Sequence, residues 1–288
     1  MTRSRSPSLL DRRSVILAGA GLSCGFAAAE ALDVRRFGAK GDGISDDTEV
    51  LRKAHAQDRP VFYPKTNAFY RVSGAIPVSG DVSSNGATIR SLQDGSEERS
   101  IFRIRQNRRP ITITGLVMDG LYRGQMTGGQ WSMCIYLEGA SDVTIVRNVL
   151  RSPYGDCVYV GSLGKVAGCS RIKVLSNQLL NPRRCCVAVV CGKDVEIRDN
   201  TMLKTAHFVS TIAMEPNPNG FDYVTQVRIL DNRVDTPTPF ITASKFNGVE
   251  TEGLIVRGNR GKAARLLYAT TAHIRAPVID HNSIEPRH

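Results

Sequence analysis

Short apolar stretches with alternating neighbours recur along the second half of the chain, each closed by an asparagine. The pattern is apolar, any, apolar, two of any kind, then Asn, in six copies: Val143-x-Ile145-x-x-Asn148, Ile172-x-Val174-x-x-Asn177, Val195-x-Ile197-x-x-Asn200, Val227-x-Ile229-x-x-Asn232, Leu254-x-Val256-x-x-Asn259 and Pro277-x-Ile279-x-x-Asn282. Ile111-x-Ile113-x-x-Leu116 is an earlier copy with a different corner residue. Period-two alternation is the mark of a short strand with one buried face. Successive asparagines are 29, 23, 32, 27 and 23 residues apart, so one strand and one corner are kept while other turns change length. Rungs this long are wrong for leucine-rich repeats and too β-rich for helical arrays. The pattern therefore predicts an all-β solenoid, a parallel β-helix whose coils stack about 4.8 Å apart. Asn suits the corner on two grounds: it tolerates a left-handed backbone, and its amide bonds to the asparagines above and below.

A strand is under way nine residues after each corner, at Cys157, Cys186, Val209, Ile241 and Tyr268. A constant register stacks Cys157 on Cys186, and matching CIYL to CVYV places Cys134 on the preceding coil. Cys134, Cys157 and Cys186 then read as a row of small apolar side chains, and disulfides among stacked coils are not required. The same register brings Tyr154-Gly155-Asp156, Arg183-Arg184-Cys185 and Ala206-His207-Phe208 to one edge of one face, with Trp131 aligned to Tyr154.

Composition adds a sign. Lys and Arg number 38 against 27 Asp and Glu, a formal charge of +11, which favours an acidic partner. Aromatics are only 6%, with a single Trp131. No internal apolar run is long enough to span a bilayer. Residues 1–31 read as a signal peptide of the twin-arginine type: Arg12-Arg13 precede a weakly apolar Gly/Ala-rich stretch ending in small residues. Cleavage after Ala29 or Ala31 is expected, and export to the periplasm or beyond follows. Loss of residues 1–31 removes four arginines, Asp11, Glu30 and Cys24, leaving a charge of about +9 and six cysteines. The rest, 32–288, carries no linker and is expected to form one domain.

Upstream, Phe37-Gly38-Ala39-Lys40-Gly41-Asp42-Gly43-Ile44-Ser45-Asp46-Asp47-Thr48 with Glu49 to Ala56 resembles the N-terminal signature of the pectate lyase-like superfamily. Pro60 to Lys65, Phe69 to Val72, Gly86 to Ile89 and Ile111 to Gly120 are similar to its first coils. The resemblance implies a right-handed parallel β-helix. Asp46 or Asp47 would cap a helix from Thr48, whose Val50, Leu51, Ala54 and Ala56 would close the open end of the solenoid. It also implies a substrate groove over one strand ladder, and carbohydrate chemistry. The departures are equally informative. Gly155-Asp156-Cys157-Val158 is similar to the strand that bears an Asp pair in polygalacturonases, but holds one Asp, and no Gly-His-Gly follows. Arg171-Ile172-Lys173 looks like the family's Arg-Ile-Lys but lies inside the repeat.

The resemblance therefore points to an acidic polysaccharide and, first, to β-elimination at a uronate. Arg183 or Arg184 would neutralise the uronate carboxylate, and His207 or Tyr154 would remove the α proton. Asp156, with Asp119 or Glu138, would orient the sugar or hold Ca²⁺, the one cofactor to consider. Trp131, Tyr159, Asp119 and Arg123 are the candidate substrate contacts. Tyr136 and Tyr159 fall at matching positions of neighbouring coils, where an aromatic pair fits either a core stack or a sugar-contacting ladder. Glu215 precedes a turn-rich excursion able to wall the groove. A polygalacturonase-type hydrolase, an epimerase and a non-catalytic binding protein remain open. Nucleic acid is not an expected partner, and a monomer or small homo-oligomer is expected.

Overall fold

The computed structural model describes residues 31–92, 99–124, 128–217, 219–243, 251–269 and 274–287. The expected export signal lies, but for Ala31, outside the described residues. From Leu32–Asp33 to Ser283–Pro286 the strands form three all-parallel sheets of 12, 9 and 8 members, visited in turn by each coil of a right-handed β-helix. The first sheet carries the repeat strands, such as Cys169–Leu175 and Gly192–Arg198. The second carries the short strands after the corner, such as Val149–Arg151 and Gln178–Leu180. The third carries Ile135–Glu138, Val158–Gly161, Val187–Val189, Ile212–Met214 and Ile241–Ala243. Inward Val, Ile and Leu side chains of all three sheets form one continuous core.

The corner works as a ladder. Asn148, Asn177, Asn200, Asn232 and Asn259 are buried, and each donates both its backbone N–H and its Nδ2 to Oδ1 of the next asparagine, at 2.9 to 3.2 Å. Nδ2 also reaches a carbonyl in the strand of the coil before, as Asn200 does to Val174 at 2.8 Å. The left-handed backbone falls one position earlier than the sequence suggests, on Arg147, Ser176, Asp199, Asp231, Gly258 and His281. Asn takes the buried place because its amide fills both hydrogen-bonding roles there. The residue before it makes the bend, at about 1 kcal/mol wherever it is not glycine.

One end is closed by the helix Thr48–His55. Asp46 Oδ1 accepts from the Thr48 N–H at 3.0 Å, while Asp47 holds the Lys40 and Gly41 N–H groups, so the acidic pair splits capping from loop bracing. Leu51 and Ala54 are buried as the pattern implies, but Ala56 is exposed and His55 takes the inward place. Its Nε2 lies 2.8 Å from Tyr63 Oη, and burial lowers its pKa to about 3, so the ring is neutral. All six cysteines among the described residues are buried free thiols.

Candidate functional site

Cys134, Cys157 and Cys186 do stack, because the strands that follow pair Ile135 with Val158 and Val158 with Val187. Beyond that the constant register fails. Val187 pairs with Ile212, twelve residues after Asn200, whereas Val187 itself is ten after Asn177. Two extra residues in the turn from Lys204 to Val209 carry Val209 out of the sheet and His207 away from the coil position of Tyr154 and Arg183.

The expected cluster accordingly divides. Asp156, Arg184, Trp131 and Tyr159 line a cavity of about 210 Å³ on the outer face of the third sheet, together with Gln130, Met133, Val190, Glu215 and Asn217. Arg123 and His207 instead line a separate groove with Tyr122, Ser152 and Asn181. Tyr154 is buried, its ring edge-on to Tyr122 at 5.5 Å. Arg183 turns away from the cavity, donating to the Gly128 carbonyl and lying over the Phe208 ring. Asp119 sits on the second sheet, 3.3 Å from Arg90 and 3.1 Å from Arg151. Glu138 is engaged by Arg103 and Arg105. Asp156, Asp119 and Glu138 thus do not assemble as a Ca²⁺ donor set, and among the described residues no group of three His, Cys, Asp or Glu has metal-binding geometry. Arg171 pairs with Asp142 on the first sheet, so its likeness to the family's Arg-Ile-Lys has no part in the cavity.

The cavity is built across four successive coils, the first giving Gln130, Trp131 and Met133 just ahead of the strand Ile135–Glu138. Asp156 lies just before the strand Val158–Gly161, Arg184 just before Val187–Val189 on the next coil, and Glu215 just after Ile212–Met214 on the one beyond. Gly155 is needed because a Cβ there would lie 2.5 Å from the Gln130 carbonyl oxygen, which lets the chain turn tightly into Asp156. Gly161 similarly leaves room for the Tyr159 ring, 2.3 Å from where its Cβ would be. Tyr136 and Tyr159 face outward, 5.0 Å apart edge-on, and Trp131 meets Tyr159 at 6.0 Å. Tyr159 belongs to a small outer cluster with Met133, Cys185, Ala188, Val190 and Ala213, separate from the solenoid core. Ala188 and Ala213 follow Tyr159 along the ladder, and their small side chains keep the floor open. Trp131 remains 46% exposed at the rim.

Asp156 is the unusual group. Its side chain is fully buried, Oδ1 accepts the Cys185 N–H at 2.7 Å, and Oδ2 has no hydrogen-bond partner. Burial pushes its pKa up to about 6, against the opposing pull of Arg184 and the Cys185 N–H and with some help from Glu215. Arg184 Nε stands 3.7 Å from Asp156 Oδ1, while its Nη2 donates to Glu215 Oε1 at 2.9 Å. One guanidinium therefore holds two carboxyl groups at the same cavity, one of them able to carry a proton near neutral pH. Burial and the Tyr136 hydroxyl push the Tyr159 phenol far up, so it stays protonated. Sequence reading reached Asp156, Arg184, Trp131 and Tyr159 but gave Glu215 only a wall, since it follows its strand while the register singled out residues that precede theirs.

No family model matches the sequence, and no curated protein matches it. Solved structures do resemble it in fold. Pre-mature bacteriophage phi29 gene product 12 superposes with a TM-score of 0.65 at 14% identity, over 82% of this chain and 33% of that one. Tailspike protein gp49 from Acinetobacter baumannii bacteriophage Fri1, a capsular polysaccharide depolymerase, gives 0.58 at 14%, over 89% and 59%. The catalytic domain of a GH87 α-1,3-glucanase in complex with nigerose gives 0.53 at 13%, over 81% and 45%. The chain spans from a third to about three fifths of the length of these structures. Its three stacked parallel sheets, capping helix and Asn corner form a right-handed parallel β-helix, the fold it shares with these structures.

Proposed function

We propose that the protein binds a polysaccharide over the third sheet and cleaves it hydrolytically with the Asp156–Glu215 pair. The observation that carries this reading is Asp156, a buried carboxyl with one unfilled oxygen and a pKa raised to about 6, sharing Arg184 with a second, accessible carboxylate. Glycoside hydrolysis needs such a division: a protonated carboxyl to give a proton to the leaving oxygen, and a carboxylate to act on water or on the sugar. In this assignment Asp156 is the acid and Glu215 the base or nucleophile. Arg184 orients both, and Trp131 and Tyr159 pack on sugar faces. The tailspike depolymerase and the glucanase, as parallel β-helix proteins acting on glycans, support the substrate class.

Elimination at a uronate is the second reading. Arg184, the cation of the cavity among its described lining residues, and the protonated Tyr159 favour it. Against it, the bases named for it, His207 and Tyr154, lie elsewhere, and Arg184 is already committed to two carboxyl groups. The net charge favours acidic glycans. The first 31 residues support export to the periplasm or beyond by the twin-arginine route, with 32–288 as the working domain.

The test is to incubate purified protein with acidic and neutral polysaccharides while following reducing ends and unsaturated-uronate absorbance together. New reducing ends without absorbance, lost in Asp156→Asn and Glu215→Gln, support hydrolysis. Absorbance supports elimination, and binding without either leaves a non-catalytic glycan-binding protein.

A further inference from the structure

A second groove lies along the turns that lead from the second sheet to the third. It has a volume of about 590 Å³ and is lined by Tyr122, Arg123, Ser152, Asn181 and His207, with Thr205 and Ala206 beside the last. These residues come from four successive coils: the Tyr122 N–H donates to the Ser152 carbonyl, the Ser152 N–H to Leu180, and the Asn181 N–H to Leu203. The groove therefore runs parallel to the solenoid axis for about 14 Å, three coil steps. Each coil lends the groove one polar group, a guanidinium, a hydroxyl, an amide and an imidazole, with Ser152 and Asn181 in register and Arg123 and His207 further along their turns. Ser152 and Asn181 are both held in the left-handed conformation, at φ 53° and 49°, which keeps this row of turns in step.

The far wall is the longer turn that displaced His207, and it is firmly built. Lys204 is buried, and its ammonium donates to the Phe208 carbonyl, to Val209 at 3.0 Å and to Ser210 at 3.2 Å. The near wall is the Tyr122 ring, backed edge-on by Tyr154. Among the described residues no carboxylate lines the groove, whereas the Asp156 cavity has two. An axial trough with an aromatic flank, a hydroxyl, an amide and a cationic group suits an extended polyhydroxylated anion.

We propose that this groove is a second glycan site, which holds a distant segment of an acidic polysaccharide whose reactive segment occupies the Asp156 cavity. The proposal rests on the hydrolytic reading for its substrate but not for its binding. Its test uses the full chain with polygalacturonate, alginate and hyaluronate as probes and dextran as the neutral control. Affinity electrophoresis measures binding to long chains, and calorimetry measures binding of short oligosaccharides. Arg123→Ala combined with His207→Ala, and separately Asn181→Trp, should weaken binding of at least one long polyuronate about tenfold. Short oligosaccharide binding and the melting temperature should stay unchanged. Unchanged long-chain affinity in both variants overturns the site. Equal loss for long and short chains also overturns it, since the groove would then act only through the Asp156 cavity. Retention of dextran as tight as that of polyuronate overturns the acidic class. Repeating the measurement in Asp156→Asn separates the two readings, because long-chain binding that depends on the groove persists even where no polysaccharide is cleaved.

Discussion

The Asn corner and the turn before the third sheet are built from the same repeat, and they treat buried polar atoms in opposite ways. At the corner, every Oδ1 from Asn148 to Asn282 accepts from a neighbouring coil, and every Nδ2 from Asn148 to Asn259 donates to the next coil. At the turn, Asp156 is equally buried yet keeps one oxygen unfilled beside a cavity. An amide can serve as donor and acceptor at once, so a stack of amides satisfies itself. A lone carboxyl cannot, and its misfit appears as a raised pKa. Regularity stabilises the solenoid, and the proposed chemistry sits where a buried polar atom is left unsatisfied.

The largest test of this contrast removes the misfit. Asp156→Asn keeps an acceptor for the Cys185 N–H but has no proton to give, so cleavage should fall about a thousandfold with the fold retained, read as reducing-end release and far-ultraviolet circular dichroism. Asn200→Ala should do the reverse, sparing the cavity while orphaning amide groups on both neighbouring coils. A loss of about 4 kcal/mol in urea unfolding is expected, from more than one unsatisfied group. Third comes pH. Because the Asp156 pKa is raised on folding from 3.8 to about 6, its contribution is fully present below pH 4 and fades as pH rises through 6. The wild type should therefore lose about 3 kcal/mol relative to Asp156→Asn between pH 4 and pH 8. Taking the difference cancels His55, whose lowered pKa acts in the opposite direction by destabilising the fold as pH falls. The smallest effect belongs to Asn282→Ala at the last rung. Only one neighbouring asparagine there loses a partner, and the site is partly open, so about 1 kcal/mol is expected.

Much of this was legible in the chain. The Asn repeat and the alternating residues before it fix the first sheet, and stacking of Cys134, Cys157 and Cys186 follows from matched strands. The turns were less legible, because their lengths obey local geometry rather than the repeat. Lys204 shows why: a buried ammonium bonded to three carbonyls stabilises a turn two residues longer, and nothing in the alternation signals it. That slip separated His207 from Asp156. Glu215 was missed as a partner for a related reason, since the strands of the third sheet are so short that residues at their entry and exit reach the same cavity. Asn at the corner was read correctly as a ladder and incorrectly as the left-handed residue, because burial and the bend fall on adjacent positions.

The central claim is that Asp156 and Glu215 cleave a glycosidic bond by adding water. Its most direct test is mass spectrometry of oligosaccharides released from a cleaved polysaccharide in ¹⁸O-water. The account predicts products that carry the label at the new reducing end, with the mass of a saturated sugar, and no such products from Glu215→Gln. Unlabelled products with an unsaturated terminal uronate, formed as readily by Glu215→Gln, would contradict it.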